Sequence, residues 1–230
     1  MRNCEQTRIQ CRVLISDPPW RFGDKLPGAG RGAQKHYATM TVSQIMRQPL
    51  PPLHDDCVLF LWRVSSMVEE AYQVIRAWDF VPKTELVWEK TTDESGEKMS
   101  IGMGRILRGA HETCIVATRG DRIEAMSKSE RTVFRAPRGK HSEKPEEFYR
   151  IVERLYPLEL WPEAHVELYA RRWRPGWVQF GHGLPGTWEH VEAALAREAE
   201  DAKREAEAPS PSKARGGRKD PRGAAAEPAP

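Results

Sequence analysis

The sequence has no long apolar run, no paired cysteines and no glycine-rich phosphate loop, and each absence removes a class of protein. The longest clean apolar stretch, Cys57 to Trp62, is far too short to span a bilayer. The first residues, Met1-Arg2-Asn3-Cys4-Glu5, open with charge and lack an apolar core, so no signal peptide is expected. The four cysteines, Cys4, Cys11, Cys57 and Cys114, form no CxxC pair. Neither a zinc site nor a disulfide framework is expected, no other metal is indicated, and a reducing cytoplasm is the natural home. No glycine-rich fingerprint follows the first strand-like run, so no dinucleotide or nucleoside-triphosphate motif competes. A large charge excess is missing too. The net charge is +3, and the tail from Ala208 onward holds five basic residues against two acidic ones. Without that tail the chain has 31 residues of each sign, so overall basicity does not argue for nucleic acid.

What is present starts at Ser16-Asp17-Pro18-Pro19-Trp20, directly after the strand-like run Ile9 to Ile15. Two prolines in a row lack ladder donors and hold the backbone extended, so the strand must end in a stiff turn. In an open α/β sheet, the carboxyl ends of the strands are where ligands bind. The turn offers one carboxylate, the Pro18 carbonyl and one large aromatic plate. An acceptor pair of that kind can take both hydrogens of an exocyclic amine and localise its lone pair. Trp20 can stack on a base, which must first leave its own stack. On these four residues alone, a surface turn with a half-buried Trp is the simpler reading.

Strand-like and helical segments then alternate, which implies an α/β fold with a largely parallel sheet. Thr41-Val42-Ser43-Gln44 and Ser66-Met67-Val68-Glu69 read as capping boxes. Cys57 to Trp62 is apolar on both faces and reads as a central strand. Leu86 to Trp88, Thr113 to Ala117, Val166 to Ala170 and Trp177 to Phe180 complete the expected strands. Lys90 to Gly104 reads as a loop. Arg119 to Lys144 reads as a basic, low-apolar stretch, and Phe22 to His36 as a long glycine-rich loop. Pro145 fits the first position of a helix. Residues 1–8 are expected to fray. Residues 9–186 form the expected folded domain and 187–207 a charged helix. Residues 208–230 are expected to be a disordered basic tail.

Other candidate site residues follow from position. Glu167 sits in the last strong strand, where an acidic side chain can hold ribose hydroxyls or simply pair with Arg171. Lys144 stands at a helix start and can pair with a carboxylate or a phosphate. Gly181-His182-Gly183 forms a small-residue turn, and Glu112 precedes a strand.

Together these residues resemble a known family, the adenine N(6)-methyltransferases related to the catalytic subunit of the eukaryotic mRNA adenosine methyltransferase. The likeness is greatest to that family's short bacterial and phage members. It rests on Asp17-Pro18-Pro19-Trp20, Tyr37-x-x-Met40, Leu59-Phe60-Leu61-Trp62, Leu86-Val87-Trp88-x-Lys90, Glu112 and Arg119-Gly120. It continues through His141-Ser142-x-Lys144-Pro145, Glu167-Leu168-Tyr169-Ala170-Arg171 and Gly176-Trp177 with Gly181. The resemblance implies a Rossmann-like S-adenosylmethionine-dependent fold in permuted order, with the catalytic strand early and the cofactor strand late. It implies a catalytic motif of Asp17, Pro18, Pro19 and Trp20, and cofactor contacts from Asp17, Lys144, Glu167, Arg171, His182 and Gly183. Relatives commonly carry Asn where His182 stands. Substrate contacts would come from Trp20, Tyr37 and Glu112, and the basic character of the loops Lys25–His36 and Arg119–Lys144 adds Lys35, Arg135 and Arg138 as expected phosphate contacts. The implied partner is nucleic acid, DNA in preference to RNA, and the implied assembly extends to a homo- or heterodimer.

Overall fold

A computed structural model describes residues 10–22, 39–102, 106–121, 123–139, 143–162, 164–181 and 184. They form part of one compact unit, Met1–Leu195. The expectations for residues 1–8, 187–207 and 208–230 fall outside the described residues.

The strands are β1 (Cys11–Ser16), β2 (Leu53–Arg63), β3 (Val81–Thr91), β4 (His111–Arg119), β5 (Val133–Pro137), β6 (His165–Leu168) and β7 (Val178–Phe180). The helices are α1 (Val42–Arg47), α2 (Val68–Ala77) and α3 (Glu146–Leu155). One sheet runs in the order β5-β3-β4-β2-β1-β6-β7. Its pairings are parallel except for the two made by β4, with β2 and with β3. Every strand but β4 therefore points the same way, as a largely parallel α/β sheet requires. The reversal of β4 is not part of the sequence expectation. It places the end of β3 and the start of β4 on the same edge as the end of β1.

Side-chain alternation builds a core on each face of this sheet. Leu14, Leu59, Leu61 and Val166 pack with Ile45 of α1 and with Ala71, Val74 and Ile75 of α2. Val13, Ile15, Val58, Phe60 and Trp62 pack on the other face with Phe148, Ile151 and Val152 of α3. The β2 run is apolar on both sides because both sides are covered, as its sequence suggests. Phe148 meets Phe60 and Trp62 edge-on, at centroid distances of 6.0 and 4.9 Å.

The Thr41 capping box forms in full, with Gln44 reaching back to the Thr41 amide at 2.9 Å. The Ser66 box does not form. Helix α2 begins one residue later, with Met67 at the N-cap and no side-chain cap. Glu69 and Glu70 in its first turn still favour the helix dipole. Pro145 is likewise the N-cap of α3 and not its first helical residue. The basic stretch hides a strand. In β5, Phe134 and Ala136 are buried while Val133 and Arg135 face solvent. The Trp88 indole N–H donates to the Ala136 carbonyl at 2.8 Å and fastens β5 to β3.

Register brings the early and late motifs together. β1 lies beside β6 with Ile15 opposite Glu167 and Ser16 opposite Leu168. The chain then turns at Tyr169, whose φ of 66° is left-handed and uncommon for a bulky residue. Gly181 explains itself here. A Cβ on it would lie 2.0 Å from the Ala170 carbonyl oxygen. Its small size serves this backbone crossing, where Ala170 N–H donates to the Phe180 carbonyl at 2.9 Å.

Candidate active site

The Asp-Pro-Pro-Trp segment does leave the sheet as a tight turn. The Trp20 amide donates to the Pro18 carbonyl at 2.8 Å, a three-residue turn about Pro19. The Met40 amide donates to the Pro19 carbonyl, and Arg21 N–H to the Met40 carbonyl, each at 2.8 Å. The segment is thus stitched to Met40, with which Trp20 forms an isolated bridge, and residues 23–38 fall in the interval between the two. Lys35 and Tyr37 lie in that interval, outside the described residues, as do His182 and Gly183.

Trp20 departs from expectation. It is 4% exposed and packs in the core among Leu14 and Met40. Its indole N–H donates to the Trp62 carbonyl at 3.0 Å. An indole pinned in this way braces the turn against the end of β2. It is not an open plate for stacking a base.

Asp17 meets Lys144, 127 residues away in sequence. The Lys144 ammonium donates to Asp17 Oδ2 at 2.7 Å. It also lies 3.1 Å from Glu112 Oε2 and 4.8 Å from the centroid of the Trp62 ring. The Lys90 ammonium donates to the other Glu112 oxygen at 2.5 Å. Four side chains of alternating sign, Lys90, Glu112, Lys144 and Asp17, form one row along the edge. Burial alone would raise the Glu112 pKa, but Lys144 and Lys90 outweigh it and hold the carboxyl at about 2. Burial alone would lower the Lys144 pKa, but Asp17 and Glu112 outweigh it and push it well up.

This yields a pH prediction. The folded-state pKa of Glu112 lies below its ordinary 4.5, so its contribution to stability is complete above about 4.5. That contribution is lost as pH falls from there toward about 2. The melting-temperature gap between wild type and Glu112→Gln is expected to be wide at pH 6 and to close below pH 4.5. A gap that stays constant across that range contradicts the assignment.

Glu167 is 5% exposed, and burial pushes its pKa up. It does not pair with Arg171 in any ion pair among the described residues. The Tyr149 hydroxyl and the Gln179 amide donate to its two oxygens, each at 2.6 Å. Sequence reasoning misses both partners. Tyr149 follows Phe148 on an amphipathic helix and reads as core. Gln179 carries a better signal, a lone amide inside the apolar run Val178 to Phe180.

Asp17, Lys144, Glu167 and Arg171 line one cleft, together with Ile15, Trp62, Tyr149, Tyr169 and Arg172. A wider groove adjoins it, sharing Glu143, Lys144 and Arg172, and contains Arg135 and Arg138. That groove is not a basic channel. Its five basic side chains face five acidic ones, and Arg135 is held by Glu89 at 3.0 Å. Arg119 is likewise paired with Asp79, and Lys128 with Glu124. With Lys144 on Asp17 and Glu112, four basic side chains of this stretch are thus held by acidic partners where they stand.

The cleft's donor set fits S-adenosylmethionine. That molecule carries a sulfonium and an ammonium, a carboxylate and a ribose diol. Asp17 and Glu167 offer carboxylate acceptors, and Arg171 and Arg172 offer guanidinium donors. Each Glu167 oxygen has one protein donor and keeps a lone pair for a hydroxyl.

Comparison with known proteins agrees with this geometry. Residues 11–183 match the family model MT-A70. The N(6)-adenosine-methyltransferase catalytic subunit METTL3 of Homo sapiens is 28% identical over 176 residues, which is 76% of this chain and 28% of that protein. The N(6)-adenosine-methyltransferase MT-A70-like protein of Drosophila melanogaster is similar at 28% identity over 76% of this chain and 27% of its own length. The Type II methyltransferase M.MunI of Mycoplasma sp is 25% identical over 197 residues, 77% of this chain and 79% of that protein. The chain thus spans just over a quarter of the adenosine methyltransferases and most of the type II enzyme. The matched span contains both the Asp17 turn and the Glu167 strand, and the chain belongs to the MT-A70 family of S-adenosylmethionine-dependent methyltransferases.

Proposed function

We propose that this protein transfers a methyl group to the exocyclic N(6) amine of adenine in DNA. The observation that carries the reading is the meeting of Asp17, Lys144, Glu167 and Arg171 in one cleft at the strand ends. S-adenosylmethionine, held there by Asp17, Lys144, Glu167 and Arg171, supplies an electrophilic methyl group. The chain's own part is to prepare the amine. Lys144 occupies one Asp17 oxygen, and the second has no partner among the described residues. The Pro18 carbonyl accepts one N–H from Trp20 and keeps a second lone pair. Those two acceptors take the two amine hydrogens, hold the nitrogen in line and localise its lone pair. Orientation and fixed dipoles of this kind supply the catalysis, with no covalent enzyme intermediate.

DNA is favoured over RNA by the resemblance of the motifs to the family's short bacterial and phage members, and the similarity to a type II methyltransferase supports that reading. In an assay with labelled methyl donor and matched oligonucleotides, DNA is expected to be methylated at adenine N(6) and RNA much less. Equal or greater labelling of RNA would replace the substrate while keeping the reaction.

A further inference from the structure

One buried amide has more partners than core packing explains. Gln179 stands in β7 between Val178 and Phe180 and is 3% exposed. A leucine would fill the same space, and a buried amide costs free energy unless its polar atoms are paired. Here they are paired at both ends. Nε2 donates to Glu167 Oε2 at 2.6 Å and to the Arg172 carbonyl at 2.9 Å. The amide oxygen accepts from the Arg174 backbone N–H. A backbone N–H only donates and a backbone carbonyl only accepts, so these two contacts decide which end of the amide faces Glu167. It is the N–H end.

Register makes the contact. Glu167 lies opposite Gln179 in the β6–β7 pair and opposite Ile15 in the β1–β6 pair. The anchors of Gln179 are themselves held. Arg174 is gripped by Glu146 and Glu153, each at 2.8 Å, and stands over the Tyr149 ring at 4.6 Å. Arg172 reaches Glu146 at 2.7 Å. Tyr149, the other partner of Glu167, differs in kind. A hydroxyl rotates and can donate or accept, so it serves a carboxylate or a carboxylic acid alike. The Gln179 N–H can face only an acceptor. Burial favours the protonated form of Glu167, and this donor opposes it.

Resting on the reading that Glu167 is among the cofactor's contacts in this cleft, we propose that Gln179 is a positioning residue that presents Glu167 to the cofactor's ribose as a pure acceptor. A vicinal diol brings two O–H donors. An ionised carboxylate meets both, whereas a carboxylic acid would set its own O–H against one of them. Gln179 occupies one lone pair of Oε2 from the side of β7 and leaves the face toward the cleft to the ligand. The same amide holds the Arg172 carbonyl and the Arg174 amide, so it also fixes the loop whose Arg171 and Arg172 line the cleft. Ribose acceptor and arginine loop are thus set in one register by a single side chain.

Isothermal titration of the full-length protein with S-adenosylhomocysteine and with its 2′,3′-dideoxy analogue reads the diol contact. Both ligands meet the same protein, so any general loosening cancels in the ratio of their Kd values. Wild type is expected to prefer the diol by about ten- to a hundredfold, the scale of hydrogen bonds to a charged group. Gln179→Leu should lower that ratio by about tenfold, and Gln179→Met, which keeps the length without the donors, should match it. Tyr149→Phe should lower it less. A wild-type ratio in both Gln179 variants overturns the proposal and leaves Glu167 and the methyl transfer standing. So does a fall with Tyr149→Phe as large as theirs, which would give the role to the hydroxyl. A wild type that binds both ligands equally, or neither, overturns the proposal together with the placement of the ribose. Ratios as expected in a chain that methylates no adenine end the proposed activity and uphold Gln179.

Discussion

Asp17→Ala is expected to lower methyl transfer to adenine by about a hundred- to a thousandfold, the scale of losing one preorganised polar contact at a reacting centre. The loss should fall on kcat more than on KM, because the acceptor matters most as the amine becomes pyramidal. Stability should change little, with a melting temperature lower by only a few degrees. The reason is in the charge row. Lys144 loses one carboxylate but keeps Glu112 at 3.1 Å and the face of Trp62. The reach of Trp20 to the Trp62 carbonyl does not involve Asp17 at all, so the turn itself survives. Asp17→Asn refines the point. It keeps the shape and one acceptor but replaces the other with a donor, which opposes an incoming N–H. Asn is therefore expected to be nearly as inactive as Ala. Mass spectrometry of nucleosides from DNA and RNA of expressing cells reads the result directly. Wild-type levels of N(6)-methyladenine with Asp17→Ala would end the proposed mechanism.

Much of this edge is legible in the amino-acid sequence, for physical reasons that differ by residue. The Asp17 turn is legible because two prolines leave the backbone little choice. The Thr41 cap is legible because its partner sits three residues away, and local geometry alone decides it. The same pattern at Ser66 does not form a box, since one shifted residue is enough to start the helix at Met67. Nothing local distinguishes the two. The direction of β4 is not legible, because a strand's polarity is set by its neighbours and not by its own residues. β5 is hidden by its shortness and by Arg135 on its open face. Trp20 misleads for a related reason. An aromatic after a turn can be a plate or a brace, and the Trp62 carbonyl that decides the matter lies 42 residues away. Lys144 is readable as a residue seeking an anion. The share that Lys90 takes in holding Glu112 is not, because only the antiparallel pairing of β3 with β4 sets Trp88 opposite Glu112.

Lys144→Met is the second substitution with a large expected effect, and here stability and activity fall together. Met keeps the length and apolar stem that lie on Trp62 but removes the charge between Asp17 and Glu112. Removing one partner of a buried ion pair costs about 3–5 kcal/mol, because the remaining charge is left without compensation. The loss here should sit at or just below the lower end of that range. The Asp17 and Glu112 side chains keep 23% and 32% of their exposure, and Lys90 still neutralises Glu112. Denaturant unfolding monitored by tryptophan fluorescence gives the value. Lys144→Arg should not rescue it fully. A planar guanidinium needs more width than an ammonium buried to 9% exposure between two carboxylates and an indole face. The decisive comparison is a cycle with Glu112→Gln. If the row acts as a unit, the double variant should be more stable than the sum of the single losses predicts, because Gln removes one orphaned charge. It should remain inactive, since Asp17 would still lack the cation that fixes one of its oxygens and leaves the other for the amine. Strict additivity in stability, or activity restored in the double variant, would show that Lys144 touches Asp17 without positioning it.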